Sequence, residues 1–288
     1  MDIRSIVKNS CPPIIWNSLR YIRSWINEKF KTKAHVQIFR LKTTFDDINK
    51  ENLLNEITIR PNITLKIHPD SRIPFEYFCF RSPECVEELD AFLNYSSDCK
   101  RLLDIGALHG IFALTFASIS PDRRVIAIDA SPLAYSKLLY NVHKNQPRSI
   151  LPIECALTDC NGIMRMHYES EHAVSAGTCM SGPCIEIEAY TGDYICSENN
   201  FIPDAIKIDV EGHEVKVIRG LMGTLKSHKP LIFLEVHPKR IMEEGESMKE
   251  FISLLANLGY SAKTTNGMHI SLSDLHQFEN DFRILLSH

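Results

Sequence analysis

Nowhere does this 288-residue chain stay apolar for eighteen residues, so no segment is expected to cross a membrane as a helix. No apolar core follows its basic start either, and a secretory signal peptide is not expected. The nine cysteines include no C-x-x-C pair, which argues against a zinc site or a disulfide framework. Free thiols in this number point to a reducing compartment, the cytoplasm. An excess of positive charge is also missing: the formal net charge is −4, so the broad basic surface that nucleic acid demands is not expected. Repeats, low-complexity tracts and a G-x-G-x-x-G loop are absent as well, and the last of these disfavours a dinucleotide-dependent dehydrogenase.

What charge there is lies unevenly. Residues 1–35 carry seven Lys and Arg against Asp2 and Glu28, a local balance of +5 that leaves −9 for the remainder. Within this arm Ile15, Leu19, Ile22, Ile26 and Phe30 fall on one helical face behind Pro12 and Pro13. A basic amphipathic helix over residues 12–33 suits either peripheral contact with an anionic membrane or packing on its own domain. Residues 36–82 read as a small cap region, with strand-like runs at Glu56–Ile59, Thr64–His68 and Phe75–Phe80. From residue 83 to 288 the pattern changes. A helix is expected over Glu84–Leu93, followed by short apolar strands at Leu102–Ile105, Val125–Ile128, Leu151–Cys155, Ala205–Ile208 and Leu231–Val236, separated by helical stretches. Such alternation predicts a doubly wound α/β fold with a mostly parallel sheet. Met164–Tyr168 and Ile185–Ile187 read as antiparallel or edge segments, Ser175–Pro183 as a mobile lid, Ile241–Leu258 as one helix closed by Gly259, and Tyr260–Ile270 with Phe282–Leu286 as a terminal hairpin.

Three features stand at the carboxyl ends of the expected strands, where open α/β sheets bind ligands. The first is a D-x-G-x-x-x-G turn, Asp104, Gly106 and Gly110: Gly106 permits a tight turn and a close ligand, while Gly110 lets the new helix sit on the sheet. Position 108, where a pyrophosphate loop would carry glycine, is Leu108. The second is Asp129 at the tip of the next strand, which can accept both ribose hydroxyl protons of a nucleoside or cap the helix that Ser131 and Pro132 begin. The third is Asp209, Glu211, His213 and Glu214 after the fourth strand, a group that would otherwise be solvated turn residues. In this order they are best explained together by an S-adenosylmethionine site.

Two blocks resemble the FkbM family of class I methyltransferases: Leu103-Asp-Ile-Gly-Ala-Leu-His-Gly110 and Lys207-Ile-Asp-Val-Glu-Gly-His-Glu214, with supporting matches at Ala156–Asp159 and Pro230–His237. The resemblance covers roughly residues 80–286, and Leu108 departs from it where the family usually has Asn. It implies a Rossmann-like, seven-stranded sheet ending in an antiparallel hairpin, and O-methylation of a hydroxyl-bearing acceptor, most simply a carbohydrate in a glycan or glycolipid. Cofactor contacts are expected from Asp104, Gly106, Ala107, Gly110, Asp129, Ala130, Ser131, Ala156 and Leu157. Catalytic roles are expected of Asp209, Glu211, Glu235 and His237. Asp209 would orient the acceptor and remove its proton, and Glu211 and Glu235 would share faces with Asp209 and His237 by strand alternation. His237, raised slightly by a carboxylate, is the most suitable base. A divalent cation held by such a set is a further option, placed below a metal-free mechanism. N-methylation of a small amine and a catalytically silent binding module are the competing readings.

Overall fold

The protein is described by a computed structural model over residues 55–145, 149–168, 174–175 and 184–288. The basic arm, the first part of the cap region and residues 176–183 of the expected lid lie outside the described residues.

The cap region opens with a hairpin of β1 (Asn55–Arg60) and β2 (Ile63–Ile67), whose alternating burial turns Ile57, Ile59, Leu65 and Ile67 inward. The strand expected at Phe75–Phe80 is instead helical: α1 (Arg72–Glu76) runs into a π-helical turn over Tyr77–Arg81. Local chemistry outweighs the alternating aromatics. Pro69 opens the preceding turn, Pro74 falls in the first helical turn where its missing N–H costs nothing, and Arg72 pairs with Glu76 one turn on at 2.7 Å. Helix α2 (Pro83–Tyr95) follows, capped by the Ser82 hydroxyl, which accepts from the Cys85 N–H.

The alternation expected beyond residue 100 then appears as β3 (Arg101–Ile105), α3 (Ile111–Ile119), β4 (Arg124–Asp129), α4 (Pro132–Asn145) and β5 (Ile150–Glu154). Next come β6 (Ala156–Leu157), β7 (Gly162–Tyr168), β8 (Val174–Ser175), β9 (Cys184–Tyr190) and α5 (Gly192–Glu198). The chain returns through β10 (Ala205–Ile208), α6 (Glu214–Gly220), α7 (Met222–His228), β11 (Leu231–Val236) and α8 (Pro238–Glu243), and ends with α9 (Met248–Asn257), β12 (Ser261–Thr264), β13 (His269–Ile270) and β14 (Phe282–Ser287). The helix expected over Ile241–Leu258 is thus two. Gly245 takes a left-handed φ of 79°, and Ser247 caps a fresh start by accepting from the Glu250 N–H.

The main sheet runs β13-β12-β14-β11-β10-β3-β4-β5, parallel from β11 to β5 and antiparallel where β14 inserts between β11 and β12. Two-residue β13 is the addition to the seven strands expected. The edge segments β7 and β9 do pair antiparallel, yet they form a separate four-stranded sheet with β6 and β8. Along each buried strand successive residues enter opposite cores. Leu102, Val125, Ala205 and Phe233 meet Phe92, Phe112 and Phe116 on one side, while Leu103, Ile126, Ile206 and Ile232 meet Val217, Leu225 and Phe251 on the other. Each such side chain, fully buried, contributes roughly 1.5–3 kcal/mol, which fixes the strand register and therefore where the strand tips lie. Asp104 and Lys207 face each other across β3 and β10, both almost completely buried on the phenylalanine side.

Candidate active site

The turn after β3 closes on β4: the N–H groups of Gly106 and Ala107 both donate to the Ile128 carbonyl at 2.9 Å. Gly106 has φ +76°, and a Cβ there would lie 1.7 Å from the Asp209 carbonyl oxygen. The glycine is required because the turn after β10 packs against it, so the expected cofactor loop and the expected acceptor loop touch backbone to backbone. Gly110, at φ +89°, brings α3 close to Leu138 of α4; the close approach is between helices and not, as expected, onto the sheet.

Asp129 ends β4 with its carboxylate buried. One oxygen accepts from the Leu108 N–H at 2.7 Å and the other from the Ser131 N–H at 2.8 Å, while the Ser131 hydroxyl caps α4 through the Ala134 N–H. Burial pushes Asp129 up to about 7, against the pull of those two N–H donors. Leu108 itself sits at φ +48°, a left-handed position that Asn tolerates better than Leu, so its departure from the family pattern costs backbone strain while the N–H contact to Asp129 is kept.

Beyond Ile208 strand alternation stops. Glu211 and Gly212 take successive left-handed conformations, φ +52° and +102°, and this turn, not alternation, brings Glu211 back beside Asp209. Glu214 then opens α6 fully buried; one of its oxygens accepts from the Gly212 N–H at 3.1 Å and bonds His237 Nδ1 at 2.6 Å. With that nitrogen occupied, Nε2 of His237 faces Glu211 at 3.6 Å and Asp209 at 3.9 Å. Burial opposes a charge on the imidazole, but the Glu214 hydrogen bond and the fields of Glu214, Asp209 and Glu211 outweigh it and raise His237 to about 9. This exceeds the slight rise expected, and it makes the group an imidazolium at neutral pH.

Behind the strand tips lies a chain of charges that sequence reading missed. Lys207 Nζ forms an ion pair with Glu88 of α2 at 3.0 Å and lies 3.9 Å from Asp209 and 5.1 Å from the Phe112 ring. Glu88 also accepts from Arg283 Nε at 2.7 Å, and Arg283 Nη2 reaches Glu235 at 2.6 Å. Burial and the neighbouring Asp209 charge push Glu235 up to about 8 despite Lys207 and Arg283. Lys207 moves up as well, the Glu88 and Asp209 charges overriding its burial. Asp104, raised to about 7 by burial with Lys207 opposing, accepts from the Ala113 N–H at 3.1 Å. No local pattern marks these partners. Lys207 reads as one polar residue in an apolar strand, and Glu88 and Arg283 lie 195 residues apart.

These elements enclose a cavity of about 500 Å³. Gly106, Leu108, Asp129, Ala130, Ser131, Ala156 and Leu157 line one part, with Met164 and Met166 from β7. Asp209, Glu211, Glu235 and Arg283 line another, with Ile73, Pro74, Tyr77 and Phe78 from the cap region. Of the expected cofactor residues, Asp104, Ala107 and Gly110 are not in the wall; the first and last support the turn from behind. His237 is not in the wall either and meets the site through Asp209 and Glu211. His213 reaches the wall, held by Thr158 at 3.3 Å and Glu244 at 3.7 Å. Asp209, Glu211 and His237 also offer ligand atoms within 4.8 Å of one another, the spacing of a small cation site.

The methyltransferase FkbM domain matches residues 104–262, from the acid before the first glycine turn to the antiparallel strand β12. Hexuronic acid methyltransferase AglP of Haloferax volcanii is 25% identical over 167 residues, which span 57% of this chain and 64% of the relative. Among solved structures, methyltransferase FkbM from Methylobacillus flagellatus KT is 16% identical, with 66% of this chain and 44% of that one covered and a TM-score of 0.43. The O-methyltransferase from Bacillus cereus, crystallised in complex with SAH, is 13% identical, with 93% and 97% covered and a TM-score of 0.42. With more than half its length matched by the domain, the chain belongs to the FkbM methyltransferase family.

Proposed function

We propose that the protein is an S-adenosylmethionine-dependent O-methyltransferase whose acceptor is a hydroxyl of a sugar, in a glycan, glycolipid or related natural product. The observation that carries this is the shared cavity: a wall suited to a nucleoside and a wall of acids meet where Gly106 lies against the Asp209 carbonyl. The first wall fits the cofactor. Asp129 keeps a lone pair on each oxygen for ribose hydroxyls, glycine and alanine leave the turn's backbone open, and Leu157, Met164 and Met166 offer apolar surface to a purine. When bound there, S-adenosylmethionine supplies an electrophilic methyl group on a sulfonium.

The rest of the work falls to the chain's own residues. Asp209 accepts a hydrogen bond from the acceptor hydroxyl, aligns its oxygen and takes the proton as that oxygen is alkylated and becomes strongly acidic. Protonated Glu235, fixed by Arg283, donates to a neighbouring acceptor oxygen. The imidazolium of His237 lies beside Asp209 and Glu211 and holds both side chains in place. Its role is positioning, and Asp209 is the base. Alignment contributes about 7–11 kcal/mol and proton removal about 10²- to 10⁴-fold in favourable sites. A carbohydrate acceptor is supported by the name of the archaeal relative and by Tyr77 and Phe78, which give the C–H face of a sugar ring something apolar to rest on.

Two measurements test the proposal. Calorimetry with S-adenosylhomocysteine should show binding where NAD shows none. Labelled methyl transfer over sugar nucleotides, glycolipids and free glycans should then yield an alkali-stable methyl ether. Binding of NAD alone, or transfer only to amines, overturns it.

A further inference from the structure

The reading above leaves the acceptor's charge open, and the ion pairs around the acid-lined wall narrow it. Resting on that reading, we propose that the sugar presented to Asp209 is uncharged at the positions the cavity contacts, and that a uronate is rejected, because each cation near that wall among the described residues is already paired with an acidic side chain of the protein.

Arg283, the arginine in the wall, is engaged on three sides: Glu235 at 2.6 Å, Glu88 at 2.7 Å and Glu84 at 3.7 Å. Lys207 is buried between Glu88 and Asp209. Arg240 lies against Glu211 at 3.2 Å, and His237 is enclosed by Glu214, Glu211 and Asp209. Among the described residues no cation at this wall is left for an incoming anion. A carboxylate entering here would shed water without gaining a cation and would meet Asp209 and Glu211. Recruiting Arg283 would strip Glu235 and Glu88 of their partner. Hydroxyl groups face the opposite situation. Side-chain exposures of 28% for Asp209 and 31% for Glu211 leave carboxylate oxygens turned to the cavity, and each is an acceptor for an O–H donor.

The test uses the full chain saturated with S-adenosylhomocysteine on an array of oligosaccharides in matched pairs, each pair differing only in a terminal neutral hexose or the corresponding hexuronate. The expected result is binding to one or more neutral members with the uronate partner at least about tenfold weaker, equivalent to 1.4 kcal/mol. Uronate binding equal to or above the neutral member overturns the inference and leaves the glycan reading standing. No binding to any sugar, with S-adenosylhomocysteine still bound by calorimetry, overturns both.

Discussion

Replacing Gly106 with Ala tests whether the two loops of the site are one mechanical unit. The new Cβ would lie 1.7 Å from the Asp209 carbonyl oxygen, whereas carbon and oxygen normally approach no closer than about 3.3 Å. One backbone must therefore retreat by about 1.6 Å. Neither can do so cheaply: Gly106 is tied to Ile128 through its N–H, and Asp209 to Ile105 through its own. A non-glycine residue at φ +76° adds about 1–2 kcal/mol of strain by itself. A misplacement of 1 Å can cost about 100-fold in turnover, so a shift of this size should lower turnover by 10³-fold or more. Because the displaced groups belong to both loops, affinity for S-adenosylhomocysteine should fall as well, by at least about tenfold. Calorimetry for the cofactor product, methyl transfer for turnover and thermal unfolding would be read on the same preparation. The reasoning fails if the variant unfolds near the wild-type temperature, binds S-adenosylhomocysteine normally and turns over within a few-fold of wild type.

Two further outcomes follow from the buried charges. Lys207→Met removes the cation between Glu88 and Asp209, and breaking a buried pair of this kind should cost about 3–5 kcal/mol in urea unfolding; a loss below 1 kcal/mol would show that Arg283 alone neutralises Glu88. The pH profile should lose activity on the alkaline side in two stages, near pH 8 as Glu235 ionises and near pH 9 as His237 loses its proton. Since His237 is raised from 6.5 to about 9 on folding, its contribution to stability is complete below about pH 6.5 and disappears as pH rises through 9. His237→Gln should erase the upper stage in both activity and unfolding, and an unchanged upper stage would assign it elsewhere.

How far the sequence alone reaches depends on the range of the interaction. The parallel strands and the D-x-G-x-x-x-G turn are local patterns of apolar run and glycine, and each was readable. The cap-region strand and the long helix were misread because Pro74 and Gly245 decide those segments through one or two backbone angles that periodicity does not weigh. Glu211 was placed beside Asp209 for the wrong reason, since a left-handed turn does what alternation was expected to do. Least legible were Glu88 and Arg283, whose chemistry exists only once α2 and β14 meet under β10 and β11. Exposure could have been guessed for any of them from type alone, and the guess would have been wrong for Glu88, which is 4% exposed.

The charge chain from Lys207 through Glu88 to Arg283 and Glu235 also shapes the order in which the molecule can assemble. Its members come from α2, β10, β11 and β14, so no partly formed sheet can satisfy all of them. A collapsed intermediate that docks α2 early would trap a lysine and a glutamate without Arg283 and be penalised for it, whereas the last antiparallel strand, once threaded between its neighbours, relieves the penalty in a single step. Completion of the acid-lined wall and completion of the charge chain are then the same event.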